Sequence, residues 1–224
     1  MFRSAVLTML VTFGAMAVMS FSKATAQDED FHALGVNVTG QTSPGYYLIG
    51  EACSDSFAIL DNAGRYMYRA PLETRSNLSA YKNKWITYFT SEVGQTMYIR
   101  RNIDLEFIDT LRSSPPYVSD FHEIRIVSDS SYYVLGREIV ILDLSSTVPG
   151  GRRDVQVVSA VIEERTFSGN TLFLWRSIEH IPVTDASETI DLTASAIDYI
   201  HINSIAVASD GNLLLSCRHL IEVI

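Results

Sequence analysis

A short pattern of a polar turn, an apolar run and a closing arginine recurs along this chain of 224 residues. It occupies residues 130–137, 169–176 and 211–218, whose arginines lie 39 and 42 residues apart, with weaker copies at residues 94–100 and 62–69. A period of about 40 residues that contains several strands is typical of a β-propeller, in which each blade holds four strands. The repeat therefore predicts an all-β chain folded as a propeller.

The strand-forming composition agrees with this interpretation. Runs rich in β-branched and aromatic residues alternate with clusters of Gly, Asn, Asp and Ser. The clearest runs are residues 46–50, 85–89, 123–127, 155–162 and 213–217. Residues 191–200 are the only segment with a short helical pattern. A β-sandwich or a barrel has a similar composition, so it is the repeat spacing that favours the propeller.

The first 26 residues have the three parts of a secretory signal. Arg3 gives a positive start, residues 5–21 are apolar, and residues 24–26 (ATA) fit the small-residue cleavage rule. Cleavage after Ala26 predicts a secreted or periplasmic protein with no stable membrane span, and an uncleaved membrane anchor is the alternative. Export would make Cys53 and Cys217 a candidate disulfide, although two separate buried thiols fit the sequence equally well.

The predicted domain organisation follows from the signal and the repeat. A signal peptide covers residues 1–26, an N-terminal segment covers residues 27–43, and the propeller covers residues 44–224. At about 40 residues per blade, the chain after residue 26 makes four to five blades.

The charge and the absence of known motifs exclude several functions. The chain has 17 Lys and Arg against 26 Asp and Glu, a net charge of −9, and no basic stripe, which argues against a nucleic-acid partner. It has no Gly-x-Ser-x-Gly elbow, no phosphate-binding loop and no Cys/His zinc spacing. We therefore predict no cofactor and no metal, and a transferase with a nucleotide donor is disfavoured.

The remaining candidate chemistry is a histidine–arginine pattern. His201 precedes a strand, a Ser-Asp-Gly-Asn turn and a second strand that ends at Arg218. A tight turn between antiparallel strands brings their far ends together, so these two side chains are predicted to lie side by side and bind a tetrahedral anion. His122 begins a similar hairpin that ends at Arg137, and it lies 79 residues before His201, about two periods.

Each of these residues also has a purely structural interpretation. His122 fits equally well as a hydrogen-bonded loop residue with no contact to a ligand. Arg218 fits as a donor to a neighbouring carbonyl, which is the role we expect for Arg137 and Arg176. Asn203 can simply stabilise a local turn. His219 has no partner that the sequence identifies.

Residues 198–204 (DYIHINS) together with residues 210–219 (DGNLLLSCRH) resemble the central motif of the arylsulfotransferases. Residues 44–48, 61–65, 121–123 and 169–175 fit the same family less specifically. The resemblance implies a six-bladed propeller, so the four to five blades expected here would be an incomplete set that lacks its C-terminal part. It also implies an activity that moves a sulfuryl group from a phenolic sulfate ester to a phenol through a sulfated histidine. It also implies that His201 and Arg218 hold the sulfate oxygens, that Asn203 contacts the substrate, and that His122 lies near the leaving or accepting oxygen.

Three departures from the family pattern qualify this expectation. Phe121 stands where members often carry a histidine, and Cys217 stands where a serine is common. The nucleophilic histidine of the family is expected after Arg218, beyond the end of this chain, which makes it a truncated member. The alternative is a non-catalytic propeller fragment that binds a ligand or a protein, and a weaker one is an unrelated hydrolase or sugar-binding propeller.

Overall fold

The structure is a computed structural model, which describes residues 7–9, 19–21, 40, 44–51, 56–71, 76–92 and 94–224. Those residues form mainly antiparallel β-sheets with two single turns of 3-10 helix, so the predicted all-β class is confirmed. The chain divides into two compact units. Unit 1 contains Met1–Thr90 and Tyr98–Thr110, and unit 2 contains Ser91–Met97 and Leu111–Ile224.

Two short strands lie within the predicted signal segment. Strand β1 (Leu7–Met9) pairs antiparallel with β2 (Met19–Phe21). The predicted cleavage site at residues 24–26 lies outside the described residues. Among the described residues, no helix has the length and apolar character needed to cross a membrane.

Two sheets follow along the chain. The first is antiparallel and has the order β3 (Tyr47–Glu51), β4 (Ser56–Leu60) and β5 (Tyr66–Pro71). The second has the order β6 (Ser76–Tyr81), β7 (Trp85–Glu92), β8 (Gln95–Asn102) and β9 (Phe107–Leu111). In unit 1, a bidentate ion pair joins β8 to β9. Arg100 Nε and Nη2 donate to the two carboxylate oxygens of Asp109 at 2.8 and 2.6 Å.

Unit 2 contains the longest strands. One sheet has the order β10 (Val118–Ile126), β11 (Ser131–Leu142), β12 (Val155–Thr166) and β13 (Thr171–Arg176). Two 3-10 turns, η1 (Ser177–Glu179) and η2 (Val183–Asp185), lead to β14 (Ala196–Asp198), which pairs parallel with the start of β12. The last sheet has the order β15 (Ile202–Val207), β16 (Leu213–Cys217) and β17 (Glu222–Val223).

The core of unit 2 joins these two sheets through the segment between them. Strand β12 is rich in Val and Ile and is buried along most of its length, as expected for a strand covered on both faces. Tyr199 and Ile200, between β14 and β15, are almost completely buried in the same cluster as Ile162 and Leu215. Burial of each such side chain contributes about 1.5–3 kcal/mol, so the segment before β15 is firmly anchored.

The structure confirms the strand runs and corrects two finer expectations. Residues 191–200 form turns and β14 rather than a helix. Two of the three best copies of the repeat, residues 130–137 and 169–176, fall in one sheet as β11 and β13. Each copy of the turn–strand–arginine pattern therefore corresponds to a strand that follows a hairpin turn, and successive copies do not each begin a new sheet. The propeller stays a prediction.

The structure describes one of the two cysteines of the candidate disulfide. Cys217 is a buried free cysteine on β16. Its candidate partner Cys53 lies outside the described residues.

The buried core of unit 2 predicts a loss of stability at alkaline pH. Burial raises the pKa of Tyr199 from 10.0 to about 12. Burial, together with the nearby Glu222 carboxylate, raises the pKa of Cys217 from 9.0 to about 11. Both groups are neutral when protonated, so their stabilisation is complete below about pH 9 and is lost as the pH rises towards 12. The loss reaches about 2–3 kcal/mol per group.

Urea unfolding followed by circular dichroism between pH 8 and 11.5 measures this loss. Tyr199→Phe should make the decline above pH 10 shallower, because phenylalanine has no proton to lose. An identical decline in Tyr199→Phe and in the wild type would contradict the assignment.

Candidate functional site

An open pocket of about 80 Å³ lies in unit 2, where β10, β11 and the turn before β15 meet. It contains both histidines that the sequence singled out, and the turn before β15 is anchored by the buried Tyr199 and Ile200. The residues that line it are Asp120, Phe121, His122, Leu135, Gly136, Arg137, Val158, Ala160, Asp198, His201 and Ile202.

His201 is held by Asp198 at two points. The backbone N–H of His201 donates to Asp198 Oδ1 at 3.1 Å, and the ring atom Nδ1 lies 2.6 Å from Asp198 Oδ2. The backbone of His201 has a φ of +46°, a left-handed conformation that is uncommon for a residue with a side chain. The aspartate hydrogen bonds and the buried neighbours hold this turn, because strained positions persist only where the surroundings determine them.

His122 is held in the same way by Asp120. The backbone N–H of His122 donates to Asp120 Oδ1 at 2.9 Å, and ring atom Nδ1 lies 2.5 Å from the same oxygen. Both residues belong to a bulge in β10, where residues 120–123 stand opposite a single residue of β11. A bulge turns side chains away from the regular alternation of a strand, and here it brings His122 to the pocket. Phe121 packs beside His122, with ring centroids 3.9 Å apart.

Three imidazole rings form a row, and the first two of them line the pocket. The rings of His122 and His201 meet edge to face, with centroids 5.0 Å apart, and those of His201 and His219 are 4.8 Å apart. Nδ1 of His219 lies 2.5 Å from the backbone carbonyl oxygen of Asp198. The structure therefore brings the two predicted histidines together and adds His219, for which the sequence suggested no partner.

The arginines are placed differently from the prediction. The hairpin pairing is as predicted, since the backbone N–H of Arg218 donates to the carbonyl of His201 at 3.0 Å. The Arg218 side chain is exposed, however, and does not line the pocket. Arg137 lines it instead, and its exposed side chain makes no hydrogen bond or ion pair with any described residue. Among the described residues, we therefore do not find the expected bond from the Arg137 side chain to a neighbouring carbonyl.

Arg176 and Asn203 have local roles. Arg176 pairs with Glu138 at 2.7 Å and with Glu179, and the hydrogen bond to Glu138 raises the pKa of this arginine. Its partners are thus carboxylates rather than the carbonyl we expected. Asn203 is the extra residue of a bulge in β15, is partly buried, and does not line the pocket.

The supporting roles of Asp120 and Asp198 follow a pattern that can be recognised in the sequence. An aspartate precedes each pocket histidine, two residues before His122 and three before His201. Aspartate side chains readily accept hydrogen bonds from backbone groups two or three residues later, so both turns could have been anticipated. Arg137 carried no such signal, because nothing in a strand's sequence shows which arginine lacks a partner.

The pocket can bind an oxyanion. A carboxylate that accepts from Nδ1 fixes the orientation of an imidazole, and Nε2 of His201 has no hydrogen-bond partner among the described residues. Guanidinium groups offer several N–H donors in a plane that matches a tetrahedral anion. The guanidinium of Arg137 is therefore a donor suited to such a ligand. An imidazole that donates to a carboxylate through Nδ1 accepts at Nε2 when it is neutral, and it donates from Nε2 only as the imidazolium cation.

Asp198→Ala should destabilise the protein more than the removal of an ordinary turn aspartate. It removes the acceptor for two N–H groups of His201, which costs about 2–3 kcal/mol when the acceptor is charged and partly buried. Asp191→Ala is the matched control, since Asp191 accepts from the backbone and hydroxyl of Thr193 in an exposed turn. Urea unfolding should show a loss of about 1 kcal/mol or less for the control. Equal losses would contradict the role given to Asp198.

Comparison with known proteins identifies the family. The family model described as arylsulfotransferase (ASST) matches residues 86–224, which is more than half of the chain and includes the whole pocket. No curated protein and no solved structure matches the chain. The match agrees with the resemblance found around His201 and Arg218, and this chain belongs to the arylsulfotransferase family.

Proposed function

We propose that the pocket of unit 2 binds an aryl sulfate ester and supports transfer of its sulfuryl group to a phenol. Membership of the arylsulfotransferase family supports the general activity. The observation that carries the site assignment is the pair of oriented imidazoles, His122 and His201, 5.0 Å apart in a pocket that Arg137 also lines.

Sulfuryl transfer needs hydrogen-bond donors close to the sulfuryl oxygens, which carry negative charge. In a two-step transfer, an imidazole nitrogen attacks sulfur and the bond from sulfur to the phenolic oxygen breaks, so the phenolate leaves and takes up a proton. The acceptor phenol then attacks sulfur, the sulfur–nitrogen bond breaks, and the acceptor's proton passes to a base. Fixed N–H donors around the sulfuryl oxygens stabilise both transition states.

We assign three side chains to the ester oxygens and one to the aryl ring. His201, His122 and Arg137 contact the sulfate group, which places the guanidinium on β11 rather than at Arg218. Phe121 is 44% exposed and lines the same pocket, so its ring offers an apolar surface to the phenyl group of the substrate. Arg218 and Asn203, which the family resemblance favours, form the second candidate set.

The histidine intermediate, the propeller and export belong to this proposal as well. None of the three side chains is assigned the attack on sulfur, so binding of a sulfate ester without transfer is the second candidate function. The separate antiparallel sheets of three to five strands agree with blades of a propeller. The signal pattern of residues 1–26 supports a secreted or periplasmic protein.

A transfer assay with p-nitrophenyl sulfate as donor and phenol as acceptor tests the assignment. His201→Ala and Arg137→Ala should each lower kcat/KM by about 100-fold, because each removes a donor to the transferring group. Arg218→Ala should have a smaller effect. His180→Ala and Arg125→Ala are matched controls on exposed residues outside the pocket, and they should retain full activity.

Two results would overturn parts of the proposal. Full activity in both His201→Ala and Arg137→Ala would overturn the site. A loss in Arg218→Ala with none in Arg137→Ala would move the guanidinium to the second candidate set. Calorimetric binding of p-nitrophenyl sulfate with no release of p-nitrophenol would instead favour the binding function over transfer.

A further inference from the structure

We propose that Asp198, His201 and His219 form a binding site for a divalent transition-metal ion such as Zn²⁺. One carboxylate and two imidazoles each offer a ligand atom, and these atoms all lie within 4.8 Å of one another. The two histidines come from different segments that β15 and β16 bring together. This inference is independent of the proposed function, although both use His201.

The distances are close to those of a metal centre. Zinc binds imidazole nitrogen and carboxylate oxygen at about 2.0–2.2 Å, so neighbouring ligand atoms of a tetrahedral site lie about 3.4 Å apart. The separation of 2.6 Å between His201 Nδ1 and Asp198 Oδ2 would have to widen by about 0.8 Å. The other carboxylate oxygen, Oδ1, lies 3.9 Å from His219 Nδ1, so a carboxylate that binds the ion through both oxygens would need this separation to shorten by about 0.5 Å.

Small side-chain rotations are enough for these changes, because the backbone is already fixed. The carbonyls of Ile200 and His201 accept from the backbone N–H groups of His219 and Arg218 at 3.1 and 3.0 Å. The three side chains are themselves only partly buried, with exposed fractions of 34% for Asp198, 22% for His201 and 21% for His219. An ion can therefore reach them from solvent and be held on a rigid frame.

The donor set selects the type of ion. Calcium and magnesium prefer oxygen ligands, whereas two imidazoles and one carboxylate suit zinc, nickel and copper. Three protein ligands leave a coordination position open for water or an anion. The sequence predicted no metal because it lacks the Cys/His spacing of zinc motifs, and these ligands instead come from two segments that fold together.

Metal binding would change the tautomer of His201. A neutral imidazole that binds the ion through Nδ1 carries its proton on Nε2, so the ring loses no proton overall. The ion would take the place of two hydrogen bonds, the one between His201 Nδ1 and the Asp198 carboxylate and the one between His219 Nδ1 and the Asp198 carbonyl oxygen. Nε2 then becomes a hydrogen-bond donor, so an occupied site would supply one of the donors that an oxyanion in the pocket requires.

Calorimetric titration of the full chain, free of any histidine tag, with ZnCl₂ tests this site. We expect one ion per chain. His219→Asn should weaken binding at least about tenfold, and the asparagine amide can still donate to the Asp198 carbonyl, so that the turn is kept. Asp198→Asn should weaken it similarly. His180→Ala, which removes an exposed histidine stacked on Trp175, and His122→Ala should bind zinc as the wild type does.

Titration of the wild type with Co²⁺ provides a measurement that needs no variant. Visible absorption bands of a low-coordinate Co²⁺ ion with nitrogen ligands would support the site even if a substituted chain failed to fold. Failure of the wild type to bind Zn²⁺ in a saturable way would overturn the inference, as would equal affinity in the wild type and His219→Asn. Transfer activity lost in His122→Ala with zinc affinity unchanged would separate the metal site from the proposed function.

Discussion

The arrangement of the pocket depends on the hydrogen bonds of Asp198. Its carboxylate accepts from the backbone and ring of His201, and its carbonyl oxygen lies 2.5 Å from Nδ1 of His219. Asp198 is itself fixed, because it is the last residue of β14 and pairs with Val158 of the buried strand β12. The buried Tyr199 follows directly. The geometry of two imidazoles is thereby tied to the core of unit 2.

A second carboxylate does the same for the other side of the pocket. Asp120 fixes His122 within the bulge of β10, so both rings that meet edge to face are oriented through Nδ1. Orientation before the ligand arrives matters, because donors that are already in place need no reorganisation as charge moves. Arg137 on β11 completes the set, so that the three side chains come from β10, from β11 and from the turn before β15, all within unit 2. The proposed function rests on this combination rather than on any single residue.

The general character of the fold could be predicted from the sequence, and so could part of the site. Runs of β-branched and aromatic residues identified the strands, and hairpin geometry correctly placed the backbones of His201 and Arg218 side by side. The direction of the side chains could not be predicted. Asn203 and His122 both lie in bulges, where the alternation of faces that strand reasoning relies on is interrupted.

The central claim is that an aryl sulfate binds between His122 and His201, and histidine NMR tests it most directly. In a ¹⁵N-histidine-labelled chain, addition of phenyl sulfate should shift the ring nitrogen signals of His122 and His201 in a saturable way. The signals of His180, which stacks on Trp175 outside the pocket, should stay in place. Unchanged signals of His122 and His201 at saturating phenyl sulfate, or a shift confined to His180, would contradict the account.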